Sequence, residues 1–67
     1  MAKSLIAQIA EIQKYLDRML FMNNYKNAEG VTMFMFDIAE YGSVDADPEV
    51  ALQNLIDIVI EKEHIKI

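Results

Sequence analysis

The chain predicts an all-helical fold, a small three-helix bundle that self-associates, and three observations predict it. Apolar residues recur at spacings of three and four from Leu5 to Leu20. Asp47-Pro48 opens a second apolar run with a helix-start signal. Between them lies Gly30 to Gly42, GVTMFMFDIAEYG, the most apolar stretch and one without strict alternation. One domain, 1–67, is expected, with helices over about 4–22, 28–41 and 48–64.

The first helix has Ser4 ahead of it as a cap and Leu5, Ile9, Ile12, Leu16, Met19 and Leu20 along one stripe. Ala7, Glu11, Lys14, Asp17 and Arg18 fall on the far side, which reads as a solvated face. Phe21 and Met22 depart from the stripe, and the polar run Asn23 to Asn27 ends the helix.

Wound at ~100° per residue, the central stretch gathers Val31, Phe34, Met35, Ile38 and Tyr41 on one face and throws Met33 and Phe36 onto the other. A second apolar stripe asks for a second partner. Val31 to Phe36 also suits a strand, being rich in residues that fit a pleated surface. Helix is preferred because alternation is missing and because Asn27 and Gly42 serve as an N-cap and a terminal glycine.

In the third helix Asp47 caps, Pro48 occupies the first helical position and Glu49 complements the dipole. Leu52, Leu55, Ile56 and Val59 form its centre, with Ala51 and Ile58 widening one flank and Ile60 the other. That arc is broader than a single neighbour covers. The tail His64 to Ile67 alternates, and it is expected to fray or to dock Ile65 and Ile67 on the bundle.

Composition narrows the function classes. With no cysteine and one histidine, neither disulfides nor a structural metal staples so short a chain. The 54% hydrophobic content exceeds what a domain this small hides, which points to a homo-oligomer, a dimer in the first instance. A net charge of -5 argues against direct nucleic-acid binding, since phosphate contacts need a basic surface. An acidic mimic that blocks a nucleic-acid-binding protein is a third reading on the same charge. Gln8, Glu11 and Gln13 interrupt the apolar run behind Lys3, so no secretory signal is read, and no stretch approaches the ~20 apolar residues of a membrane span. The expected location is the cytoplasm.

Candidate sites follow from what remains. Glu61 and His64 make an E-x-x-H pair, half of a carboxylate-bridged di-iron ligand set, but lie at a helix end and read as solvated. Asp45, Asp47 and Glu49 alternate like the start of a calcium loop, yet Val50 and Ile56 stand where glycine and glutamate are required, so they read as capping residues. No metal, cofactor or catalytic residue is assigned. A nucleotide or other small anion finds a candidate site at Tyr25, Lys26 and Asn27, with Lys14 and Arg18 adding charge. Phe21, Met22, Met33, Phe36, Ile58 and Ile60 lie off or flank the main stripes and are the expected contact surface. The function expected is that of a non-catalytic protein–protein interaction module, a small regulator, adaptor or inhibitor with a protein partner still to be identified. Anion binding is the rival.

Overall fold

A computed structural model describes residues 3–66 and holds two helices and a three-stranded antiparallel sheet, which overturns the all-helical three-helix bundle. The order is α1 (Leu5–Leu16), β1 (Phe21–Lys26), β2 (Thr32–Ile38), β3 (Tyr41–Asp45) and α2 (Pro48–Glu63). The strands form a meander, β1-β2-β3.

The expected helix over 28–41 is β2 and the turns on either side of it. Its residues alternate after all: Phe34, Phe36 and Ile38 face the helices, while Met33, Met35 and Asp37 face away. The period of two is hidden because apolar side chains stand on both faces. Asn27 is a turn residue and caps no helix. Its Oδ1 accepts from the Glu29 and Val31 amides at 2.9 and 3.0 Å, its carbonyl accepts from Gly30 N–H at 3.0 Å, and Gly30 takes a φ of 79°. Gly42 lies within β3, opposite Asp37, and terminates no helix.

The expected helix over 4–22 stops at Leu16. Asp17 enters the left-handed region at φ 54°, and both its N–H and that of Arg18 return to the Gln13 carbonyl. Gln13 Oε1 then accepts from Leu20 N–H at 3.0 Å, which turns the chain from helix to strand and sets Leu20 against the core. Phe21 and Met22 therefore begin β1. At the start of α1, Ser4 Oγ accepts from Ala7 N–H at 3.2 Å.

α2 occupies nearly all of its expected span. Asp47 Oδ1 accepts from Glu49 N–H at 2.9 Å, Pro48 stands in the first turn, and His64 ends the helix at φ 55°. Asp45 Oδ1 accepts from Asp47 N–H at 2.9 Å, so both aspartates serve backbone groups at the helix entrance. Of the tail, Ile65 packs half-buried on the core; Ile67 lies outside the described residues.

Ile9 and Ile12 of α1, Phe36 and Ile38 of β2, and Ala51, Leu55, Ile56 and Val59 of α2 form one core. α2 lies across β3 and β2, and α1 packs beside α2. Neither helix makes an extensive contact with β1. Every residue of that strand is exposed.

Candidate functional site

β1 pairs with β2 from Phe21↔Asp37 to Lys26↔Thr32, and β2 pairs with β3 from Phe34↔Asp45 to Ile38↔Tyr41. Because side chains alternate across a strand, this register sorts the sheet into two faces. On the face toward the helices stand Phe34, Phe36, Ile38 and Tyr41, and at its β1 end Met22, Asn24 and Lys26. Across the other face run the rows Asn23–Met35–Val44 and Tyr25–Met33, with Phe21–Asp37–Gly42 beside them.

That second face has no helix over it. Phe21, Tyr25 and Val44 are 67%, 46% and 44% exposed, and Met33 and Met35 are half-buried. Asp37 supplies its acidic group. A Cβ on Gly42 would meet Asp37 Oδ1 at 2.5 Å, so glycine leaves the carboxylate room to lie over the β3 backbone.

The free edge of β1 follows from the turn. Asn27 N–H donates to the Val31 carbonyl at 3.0 Å, and alternation along an antiparallel ladder then aims the backbone groups of Phe21, Asn23 and Tyr25 at β2. Those of Met22, Asn24 and Lys26 point outward. Asn24 N–H is taken by the side chain of its own neighbour, Asn23 Oδ1, at 2.8 Å. An edge with no proline and a single lysine is weakly guarded against pairing with another strand.

Of the residues expected to form a contact surface, Phe21 and Met22 stand together on β1, each 67% exposed, and Met33 lies across the strand from Tyr25. Phe36 is 6% exposed and belongs to the core. Ile58 and Ile60 are half-buried on α2, and Ile60 packs on the core. The wheel separated Phe36 from the core because it assumed a turn of helix where the chain is extended. Met35 falls in the core stripe of the wheel for the same reason; period two, read from Phe34, Phe36 and Ile38, puts it on the other face, and Val44 joins it there through its pairing across the β2–β3 turn.

The anion-site residues fall in two places. Lys14 and Arg18 line an open depression of about 390 Å³ at the end of α1, with Gln13, Asp17 and Met19. Tyr25, Lys26 and Asn27 stand at the far end of β1 and its turn. Glu61 and His64 are exposed, and among the described residues no three His, Cys, Asp or Glu side chains are grouped to hold a metal ion.

A polar contact also bridges β3 and the end of α2. Tyr41 donates its hydroxyl to Glu63, and that carboxylate, followed by desolvation, pushes the phenol up to about 12 from 10.0. Among the described residues no helix is long and apolar enough to cross a membrane. Compared with protein families, with curated proteins and with solved structures, the chain matches none.

Proposed function

We propose that the protein is a non-catalytic interaction module that works by presenting the β1 side of its sheet to another polypeptide. A single observation carries this reading: β1 is exposed along its whole length while bearing Phe21, Met22 and Tyr25. A strand in that state offers two things at once. Its outward amide and carbonyl groups bond an added strand, and its side chains offer aromatic and thioether surface to whatever lies alongside. Asn23 and Asn24 add polar groups without net charge, so an approaching strand meets no desolvated carboxylate.

The test is capture of partners from extracts of the cells that make the protein, with Tyr25→Lys compared against Asn54→Lys on the exposed side of α2. A partner retained by the α2 variant and lost by the β1 variant is the expected result. Retention by both would remove β1 from the interaction.

A further inference from the structure

We infer that the polypeptide added to β1 is a second copy of the same chain, paired antiparallel about a two-fold axis at Asn23; this rests on the reading of β1 as the working surface. Self-pairing requires that the strand be complementary to itself. Phe21, Asn23 and Tyr25 share one face and are symmetric about Asn23, aromatic at both ends. An axis at Asn23 therefore places Phe21 of each copy opposite Tyr25 of the other, in two aromatic pairs flanking Asn23 against Asn23. It also matches the edge. Met22 faces Asn24 of the other copy, and both positions carry outward backbone groups, so the new ladder bonds where the present one does not, with the Asn24 N–H exchanging its bond to Asn23 Oδ1 for one to the Met22 carbonyl of the other copy.

The helix-side face gains as well. Met22 of the two copies become diagonal neighbours, about 7–8 Å apart in such a ladder and within reach of long side chains. Each is 67% exposed in one chain because no helix extends over β1. Two copies thus supply each other with cover that the fold withholds.

Charge fits the same arrangement. The chain carries a net charge of -5, yet no acidic residue lies between Asp17 and Glu29. Antiparallel pairing brings the turn of one copy, with Lys26 and Glu29, beside the α1–β1 connection of the other, with Asp17 and Arg18. Each end then offers a cation and an anion to an anion and a cation. All four side chains are exposed, and the only ion pair among the described residues, Lys3 with Glu11, involves none of them. An isologous contact of this kind closes on itself and uses up both β1 edges.

The test is solution mass by sedimentation equilibrium over a concentration series reaching about 1 mM, the weak end of measurable association. The native chain is expected to move from 7.7 kDa to twice that value. Asn23→Lys sets two ammonium groups across the axis and is expected to hold the mass at 7.7 kDa with an unchanged circular dichroism spectrum, because Asn23 is exposed. Since the chain has no cysteine, Asn23→Cys adds a single thiol, which should oxidise to a covalent dimer faster than the one in Val44→Cys. A mass of 7.7 kDa throughout the series would overturn pairing with a second copy, and if Tyr25→Lys still loses a captured partner, β1 remains the working surface for a different chain. A dimer indifferent to Asn23→Lys, or equal oxidation of the two thiols, would overturn the register.

Discussion

β1 and β3 are the two outer strands of one sheet, each paired only with β2, yet their surroundings differ in almost every respect. β3 lies under α2, its Tyr41 donates to Glu63 near the end of that helix, and its Asp45 accepts from the backbone at the helix entrance. β1 has no such cover; all its residues are exposed, and it is the preceding Leu20 that packs on the core. Pairing with β2 is thus enough to place a strand but not to bury it. Stability is concentrated on the β3 side of the molecule, and available surface on the β1 side.

The hardest test of that contrast compares a core residue of β2 with an aromatic of β1. Ile38 and Leu55 are fully buried, so Ile38→Ala or Leu55→Ala should cost about 2–5 kcal/mol by urea unfolding, a large part of the total stability of so small a domain. Phe21→Ala removes a larger side chain and should stay within about 0.5 kcal/mol at concentrations where the chain is monomeric. Comparable losses from the two would end the distinction between the strands.

A smaller effect sharpens it at the β2–β3 turn. Ala39 holds a φ of 53° at the first position of the two-residue connection between Ile38 and Tyr41, where a Cβ is crowded and primed turns favour glycine. Ala39→Gly should raise stability by about 1 kcal/mol, read as a higher melting temperature.

The smallest effect concerns Tyr41, and its sign is set by the raised phenol. Folding holds the proton more tightly than the unfolded chain does, so the stabilisation is complete below pH 10.0 and is lost as pH rises through about 12. Tyr41→Phe should flatten the fall in melting temperature across that window. An equal alkaline fall in both proteins would place its origin elsewhere than β3.

The helices were legible because their ends are written in side chains. Ser4 caps the first, and Asp47 with Pro48 opens the second; both signals act within one turn and need no knowledge of the rest of the chain. The sheet was not legible, for two local reasons. In T-M-F-M-F-D-I the strand is apolar on both faces, so Met33 and Met35 fill the gaps that polar residues would leave in a one-sided strand. The tight turn at Ala39-Glu40 contains neither glycine, asparagine nor proline, whereas Gly42, three residues past Ala39, imitates a helix end. A left-handed aspartate at Asp17 conceals the end of α1, whereas α2 ends within a residue of its expected limit at His64. Of the residues expected at a contact surface, Phe21 and Met22 are exposed, in keeping with their departure from the helical stripe, whereas Phe36 is buried because β2 does not have the helical periodicity.

The meander has a kinetic corollary. Each strand bonds to the one that follows it, across connections of a few residues, so hairpins of this kind close in roughly 1–10 μs. The docking of α1 against α2 joins the most distant elements of the chain. A topology so rich in local closures belongs with the quick folders, and its slowest step should be the arrival of Ile9 and Ile12 beside the second helix.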